Sequence, residues 1–458
     1  MKRRDFLKTA VAGISATAAV PALSAAEQHS RPNVVFLFAD QMRAHDLGCM
    51  GNSQVITPHL DKLASEGLLV KNMIAASPVC TPYRGQLMTG RYGHATGVVH
   101  NDIKLPNSEI TIADQMTRAG YHTGYIGKWH LAGHRNNPVA KEDRRNWLFW
   151  AVRNCSHRHF DPQYWVNDET DAVTVDGWEP DVQTEVAIEY IRRHREHPFF
   201  LTVSYGPPHN PYKAPQRCLS QYKGRELKDR PNVPPRGRRD RDQLLHYDAM
   251  VTSLDECVGR ISAELDRAGL AGNTILVFTS DHGDMLGSQG HRLKQRPWEE
   301  SINVPFIIRQ PGKIKAGQER DWIVSSVDLM PTLLGLCGAG IPDAVQGVDQ
   351  SALFQGKGDE QRESAFLFNT HNGGGPGCDW RGIRTKDWVY AFHMEGDWIL
   401  YDLKKDPYQL NNLAGRPEHA SKRNELRKRL DSLRAELGEN LPLNGRLPDP
   451  IRLPAKPA

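Results

Sequence analysis

The most regular feature of this chain is a series of short apolar runs, each of which ends abruptly in polar residues. The runs at residues 33–39, 199–204 and 274–279 consist largely of β-forming residues. Continuous apolar runs of this length are typical of strands that are buried on both faces of a parallel sheet. Between them, residues 181–196 and 240–270 have the period of amphipathic helices. The pattern predicts an α/β fold whose large, mostly parallel sheet is flanked by helices.

The alternation of strands and helices stops in the last part of the chain. Residues 365–368, 388–392 and 399–403 predict short strands, and a helical period follows from about 417 to 437. Such an order favours a small antiparallel sheet with one helix, an α+β subdomain. The predicted division of the chain is a leader at residues 1–26, a large α/β domain at 31–345 and the C-terminal subdomain at 346–458.

Composition narrows the class of protein. The chain has 458 residues, which is enough for one large domain and a smaller one. A net charge of +4, without a basic helix that carries interleaved aromatics, excludes a nucleic-acid partner. Seven cysteines are present and none has metal-finger spacing. The odd number suits a protein in which one cysteine serves chemistry.

The N-terminal residues have the pattern of an export signal. A basic start contains the pair Arg3-Arg4, and an Ala-rich apolar run and a small-residue region at 21–26 follow it. This pattern is typical of a bacterial twin-arginine signal, so we expect a periplasmic or secreted protein. An uncleaved membrane anchor is the alternative. Because the run is short and rich in Ala and Gly, we expect no stable insertion in a membrane.

Two of the buried strands end in residues that can do chemistry. Asp40 and Gln41 follow the first strand, and Asp281 and His282 follow the strand at 274–279. Open α/β sheets place their sites at the carboxyl ends of their strands, so these pairs are expected to face each other. An ordinary turn with an Asp cap is the alternative at each position.

A third candidate lies in the stretch from Cys80 to Arg84. Pro82 suits the first turn of a helix, where its missing N–H costs nothing. Cys80 is therefore predicted at a helix N-terminus, a place that favours anions and reactive side chains. A buried structural cysteine is the alternative for this stretch alone.

Together these stretches resemble the sulfatase family, on the alkaline-phosphatase-like fold. The stretch from Cys80 to Arg84 is similar to the family's C-x-P-x-R motif, whose cysteine becomes formylglycine. The stretch at 281–284 resembles its D-[NH]-G-[DE] motif, with His282 in place of the commoner Asn. Further similar segments are Gly127-Lys128-Trp129-His130, Pro208-His209-Asn210-Pro211-Tyr212, Lys294 with Glu299-Glu300-Ser301, and Asp402-Leu403-Lys404-Lys405-Asp406-Pro407.

The resemblance implies two cofactors. One is a divalent cation, for which oxygen ligands suit Ca²⁺ while His282 leaves Mg²⁺ or Mn²⁺ open. The other is formylglycine (3-oxoalanine) made from Cys80, which requires a formylglycine-generating enzyme as a partner during maturation. The metal ligands that the resemblance implies are Asp40, Gln41, Asp281, His282 and the residue made from Cys80.

The resemblance also implies the catalytic roles. The hydrated formylglycine would attack sulfur, while Arg84, Lys128 and Lys294 hold the sulfate oxygens. His209 is the implied acid for the leaving oxygen. His130 is the implied base on the second hydroxyl of residue 80.

Three functions are considered, and the first is the one that the motifs favour. The first is hydrolysis of a sulfate ester, with a sulfated small molecule or glycan as substrate. The second is hydrolysis of phosphonate or phosphate esters on the same fold, because Gln41 and His282 also occur there. The third is a non-catalytic protein that binds a cation or a glycan. Four tryptophans can either stack on sugar rings or pack inside the fold: Trp147, Trp150, Trp165 and Trp178.

Overall fold

The structure is a computed structural model that describes residues 31–134, 136–235, 241–370 and 379–444, together with Lys2, Phe6 and Pro21. The predicted leader therefore lies outside the described residues apart from those three. Among the described helices, none combines the length and the apolar character that crossing a bilayer requires.

A large sheet of eleven strands forms the centre of the molecule. In chain order its strands are β1 (Asn33–Asp40), β2 (Leu68–Ile74), β3 (His122–Lys128), β4 (Phe149–Arg153), β5 (Gln163–Val166), β6 (Val173–Thr174), β7 (Phe199–Pro208), β8 (Thr274–Ser280), β9 (Asn303–Val304), β10 (Phe306–Arg309) and β11 (Gln318–Ser325).

The middle of this sheet is parallel and buried on both faces. Its order is β11-β2-β10-β8-β1-β7-β3-β4-β5-β6, with β9 paired to β2. β1 runs parallel to both of its neighbours, so that Leu37 lies beside Val203 of β7 and Phe278 of β8. β10 is antiparallel to β8, which makes the sheet mixed. The predicted mostly parallel sheet is confirmed, and the carboxyl ends of β1, β3, β7 and β8 meet at one edge.

Helices cover both faces of this sheet. They are α1 (Pro58–Ser65), α2 (Cys80–Thr89), α3 (Gly93–Thr96), α4 (Ile112–Arg118), α5 (Glu179–Arg193), α6 (Gln216–Leu219), α7 (Arg241–Arg267), α8 (Glu299–Ile302), α9 (Leu329–Leu336), α10 (Ser351–Phe354) and α11 (Ala420–Glu436).

The C-terminal part is the expected antiparallel sheet with one helix. The strands are β12 (Ser364–Asn369), β13 (Trp380–Thr385), β14 (Trp388–His393) and β15 (Gly396–Asp402), paired in that order, and α11 packs against them. Trp298 and Ile302 of the first part share one apolar cluster with Leu367 and Trp380 of the second. The two parts therefore have a common core, and the boundary at residue 345 stays a prediction.

Candidate active site

The residues predicted to form a site lie together at the carboxyl edge of the large sheet. Asp40 and Lys128 are the last residues of β1 and β3, and Cys80 is the first residue of α2. The other members are Gln41 directly after β1, Arg84 in the first turns of α2, His130 just beyond β3, His209 after β7, Asp281 and His282 after β8, and Lys294 in the following loop.

Four of these residues form a compact buried cluster. One ligand atom each from Asp40, Cys80, Asp281 and His282 lies within 4.8 Å of all the others. All four side chains are at most 1% exposed, and two of them are carboxylates. Because unpaired buried charge is costly, such a donor set fits a divalent cation.

Gln41 borders this cluster through its backbone as well as its side chain. Its N–H donates to Asp281 Oδ1 at 3.0 Å, and its Oε1 accepts from Lys294 Nζ at 2.8 Å. Its Nε2 donates to Asp284 Oδ2 at 2.7 Å. Gln41 has φ of +70°, a conformation that non-glycine residues seldom adopt and that is common at functional sites.

The two carboxyl groups of the cluster have opposite pKa shifts. Burial and the Cys80 thiol raise the pKa of Asp40, but nearby cations, Lys128 foremost, outweigh them and hold it well below its usual range. Burial and the neighbouring Asp40 carboxylate raise the pKa of Asp281. The site therefore already holds one firmly ionised carboxylate, and a cation would favour the ionised form of the second.

Arg84 is the buried cation that ties these groups together. It donates to Asp281 Oδ2 at 3.0 Å, and another of its N–H groups donates to Ser204 Oγ at 2.7 Å. Its side chain is fully buried. The planar guanidinium is thereby held in a fixed orientation, four residues after Cys80 on the same helix.

Cys80 lies in a strongly cationic environment. Its Sγ is 3.2 Å from His282 Nε2 and 3.3 Å from Lys294 Nζ. Burial raises the pKa of the Cys80 thiol, but Lys128 and Lys294 lower it to well below its usual range. An environment that stabilises negative charge on residue 80 is what nucleophilic chemistry there requires.

His209 and Lys294 form a pair at the open side of this cluster. His209 Nδ1–H donates to the carbonyl oxygen of Asn210 at 2.6 Å, so Nε2 is left to accept from Lys294 Nζ at 2.8 Å. Burial and the Lys294 ammonium lower the pKa of His209 to about 4. His209 is therefore neutral in this state, and the proton nearest its Nε2 belongs to Lys294.

His130 lies on the other side of residue 80 and is 3% exposed. Its Nε2 is 2.9 Å from Asp102 Oδ1. Burial and Lys128 lower the pKa of His130, but the Asp102 carboxylate and the thiols of Cys155 and Cys80 outweigh them and raise it to about 10. Asp102 was not among the predicted site residues.

Sequence reasoning also missed the histidines after β4. The ring of His157 stacks on that of His209, with centroids 3.8 Å apart and planes 3° from parallel. His159 Nε2–H donates to the carbonyl oxygen of His209 at 2.7 Å, and its Nδ1 is 3.0 Å from Glu179 Oε2. Both follow a strand parallel to β3, so the strand-end argument could have found them.

The four tryptophans considered as sugar contacts are packing residues. Trp147, Trp150, Trp165 and Trp178 are between 1% and 8% exposed. Trp150 lies 5.2 Å from Trp129, ring centre to ring centre, within the core. None of the four is placed to stack on a substrate.

Known proteins match this chain along most of its length. The family model described as Sulfatase matches residues 32–339, and the one described as N-sulphoglucosamine sulphohydrolase, C-terminal matches residues 287–436. An ulvan-active sulfatase of Formosa agariphila is 39% identical over 423 residues, covering 90% of this chain and 83% of that protein. An endo-4-O-sulfatase of Bacteroides thetaiotaomicron is 31% identical over 456 residues, covering 85% and 89%. The crystal structure of yidJ from Bacteroides fragilis aligns with a TM-score of 0.84 at 31% identity, covering 92% of this chain and 98% of that one.

The chain belongs to the sulfatase family, on the alkaline-phosphatase-like fold. It is a sulfuric ester hydrolase, and the family resemblance found in its motifs is confirmed.

Proposed function

We propose that this enzyme releases sulfate from a sulfated carbohydrate, using a formylglycine made from Cys80 and one divalent cation. The observation that carries the proposal is the convergence of Cys80, Arg84, Lys128 and the acidic cluster on one buried point at the edge of the sheet. A carbohydrate is supported by the ulvan-active relative and by a C-terminal family named for a sulfated sugar.

The cation would be held by Asp40, Gln41, Asp281, His282 and residue 80. The mostly oxygen donors suit Ca²⁺, and the imidazole leaves Mg²⁺ or Mn²⁺ open. When bound, the cation would supply Lewis-acid chemistry that stabilises negative charge beside residue 80.

Formylglycine at residue 80 would supply a hydrated aldehyde, one hydroxyl of which attacks sulfur. The protein's own contribution is to hold the sulfate. Arg84, Lys128 and Lys294 surround residue 80 with fixed cationic donors, the first two of them fully buried. Such prepositioned donors stabilise the charge that builds on the sulfate oxygens during transfer.

His209 would protonate the departing alcohol. Its Nδ1–H is held by the Asn210 carbonyl, so the acidic proton must be carried on Nε2, which would first take it from the Lys294 ammonium, leaving a neutral amine, and then pass it to the departing oxygen. The carbonyl of His209 is itself held by His159, which fixes the loop. His209 and Lys294 therefore act as a donor pair on the leaving side.

His130 would accept the proton from the second hydroxyl of residue 80, which restores the aldehyde and expels sulfate. The thiol of Cys80 is one of the groups that raise the pKa of His130. Conversion of this thiol removes its contribution and brings the ring closer to the range in which a base works.

Export through the twin-arginine pathway would follow maturation, because that pathway carries folded proteins. The formylglycine-generating enzyme would act on Cys80 before export. Fractionation of cells that produce the full chain tests this. For the wild-type chain, activity should be found outside the cytoplasm. For the Arg3→Lys/Arg4→Lys variant, it should remain in the cytoplasm. Equal distribution of both proteins would contradict the proposal.

Matched substrates test the reaction class. The purified enzyme and its Cys80→Ala variant are assayed on a panel of esters. The panel contains sulfated sugars, nitrophenyl sulfate and the corresponding phosphonate and phosphate esters. We expect kcat/KM to be highest on a sulfated sugar and to vanish in Cys80→Ala. Cys337→Ala, which removes a buried cysteine directly after the last residue of α9, is the control. A higher kcat/KM on phosphonate esters would favour the alternative on the same fold.

A further inference from the structure

We propose that Asp102 is a positioning residue for this reaction, whose carboxylate fixes the His130 ring with Nδ1 turned toward residue 80. The inference rests on the proposed function, which makes His130 the base. It adds the atom through which the ring acts and the group that selects this atom.

The two nitrogens of the His130 ring have different surroundings. Nε2 lies 2.9 Å from Asp102 Oδ1, and an ionised carboxylate can only accept, so Nε2 carries a proton. Nδ1 is buried and has no hydrogen-bond partner of good geometry within the described part of the chain. The thiols of Cys80 and Cys155 are among the groups that raise the pKa of the His130 ring. Nδ1 is thus the nitrogen left to exchange a proton with residue 80.

The backbone holds both partners in unusual conformations. Asp102 has φ of +67° and His130 has φ of +58°, in the left-handed region that costs a non-glycine residue free energy. The His130 N–H donates to the carbonyl oxygen of Asn154 at 2.8 Å, which fixes the start of its loop. Such conformations persist only where surrounding contacts determine them.

The loop of Asp102 is attached to the helix that carries Cys80. The N–H of Asp102 donates to Thr81 Oγ1 at 3.2 Å, and the N–H of Thr81 donates to Asn101 Oδ1 at 3.0 Å. Asp102 is therefore held at a fixed place relative to residue 80, and the His130 ring is held at a fixed place relative to Asp102.

The second carboxylate oxygen is also used. Asp102 Oδ2 is 3.2 Å from Nδ1 of His134, whose side chain is 71% exposed. An asparagine at position 102 can keep both contacts, with its Oδ1 accepting from His130 and its amide group donating to His134. Asp102→Asn therefore keeps the orientation of the ring and removes only the charge, whereas Asp102→Ala removes both.

A double-mutant cycle tests the role in catalysis. Asp102→Ala should lower kcat by about 10-fold to 10²-fold, less than loss of the base itself. KM should change little, and sugar sulfate and nitrophenyl sulfate should be affected alike. In the His130→Ala background the same substitution should have no further effect. Asp102→Asn should recover most of the lost kcat.

Asp397→Ala is the matched control. Its carboxylate is 34% exposed against 35% for Asp102, and it pairs with Arg423 at 3.0 Å on the second sheet. It should leave kcat unchanged. An equal loss from Asp102→Ala in both backgrounds would overturn the proposal, because the residue would then act without His130.

A spectroscopic measurement tests the orientation without any substrate. In protein labelled with ¹⁵N-histidine, the ring proton on Nε2 of His130 should give a strongly downfield signal because a carboxylate accepts it. The signal should disappear in His130→Ala and in Asp102→Ala, and persist in Asp397→Ala. Its persistence in Asp102→Ala would overturn the inference. A wild-type protein without sulfatase activity would instead contradict the proposed function, and the ring signal would still decide whether Asp102 holds His130.

Discussion

The His209→Ala substitution should reveal the acid through the leaving group. When the departing oxygen is that of a sugar alcohol, it is strongly basic and needs a proton as the bond to sulfur breaks. A nitrophenolate leaves readily without one. Loss of the acid should therefore reduce activity much more on a sulfated sugar than on nitrophenyl sulfate.

The structure sets the size of the effect. General acid catalysis is worth about 10²-fold to 10⁴-fold. Lys294 Nζ lies 2.8 Å from His209 Nε2 and 3.3 Å from Cys80 Sγ, so a second proton donor remains when the imidazole is removed. We therefore expect the lower end of the range, about 10²-fold or about 2.7 kcal/mol, on a sulfated sugar. On nitrophenyl sulfate the loss should stay below about 10-fold.

Steady-state kinetics on both substrates measure this ratio. His194→Ala is the control, because His194 is 8% exposed against 6% for His209 but packs on Tyr190 of α5, away from the site. His130→Ala is the contrasting variant. It should slow the hydrolysis of both substrates alike, because expulsion of sulfate from the enzyme is a step that they share. Sulfate should then remain on the peptide that contains residue 80.

Two results would refute this reasoning. If His209→Ala lowers the activity on both substrates equally and His130→Ala shows the dependence on the leaving group, the two roles are reversed. If neither variant depends on the leaving group, Lys294 is the acid, and Lys294→Ala should then show the dependence.

Three further predictions concern the cofactors and the fold. Peptide mass spectrometry of active enzyme should find an aldehyde at residue 80, and Cys80→Ala should be folded but inactive; an unmodified thiol in fully active protein would refute the mechanism. Chelators should inactivate Asp281→Ala more readily than wild type. Gln41→Ala, which removes no charge, should increase the sensitivity to chelators less. If Asp281→Ala and wild type resist chelators equally, Asp281 is not a ligand. Burial raises the pKa of Asp255 from 3.8 to about 7. The unfolded chain therefore loses this proton first as pH rises, and the contribution of Asp255 to the free energy of unfolding should fall between pH 4 and 7 by up to about 4 kcal/mol. Asp255→Asn, which still accepts from the Leu60 N–H, should remove that loss in urea unfolding at pH 8 relative to pH 4.

The centre of the fold was predictable because its strands are buried on both faces. The runs that became β1, β7 and β8 are largely apolar and contain no charged residue before the point at which each strand ends. Burial on two sides leaves an unbroken apolar pattern, and the same pattern marks where the site begins. The ends of these three strands carry Asp40, His209 and Asp281.

Strand β13 was not predicted because its polar residues are buried in pairs. Arg381 and Arg384 make the segment resemble a loop, yet both are almost fully buried. Arg381 binds Glu439 at 2.7 Å, and Arg384 binds Glu299 at 2.8 Å. The compensating carboxylates lie 58 and 85 residues away, a distance over which no local pattern carries information.

The contacts of His157, His159 and Asp102 could not be predicted for a related reason, although the position of the two histidines after a strand could have been. His157 and His159 are polar residues that follow a strand. That strand, β4, is short and pairs with the antiparallel strand β5. Nothing in the order of residues indicates that His157 lies on His209 or that Asp102 reaches His130. Those contacts depend on how β3, β4 and β7 are ordered in the sheet, which only the folded chain defines.

The contact between Glu299 and Arg384 limits how this enzyme can be recombined with its relatives. Glu299 begins α8, in the segment that follows Lys294, and Arg384 lies on the small sheet. A chimaera joined near residue 345 would import a new small sheet while keeping the old partner of Arg384 and the old half of the shared Trp298 cluster. Crossover points placed before residue 287 would carry both sides of this contact together. A chimaera is therefore expected to fold when the longer segment is exchanged and to give insoluble protein with the shorter one.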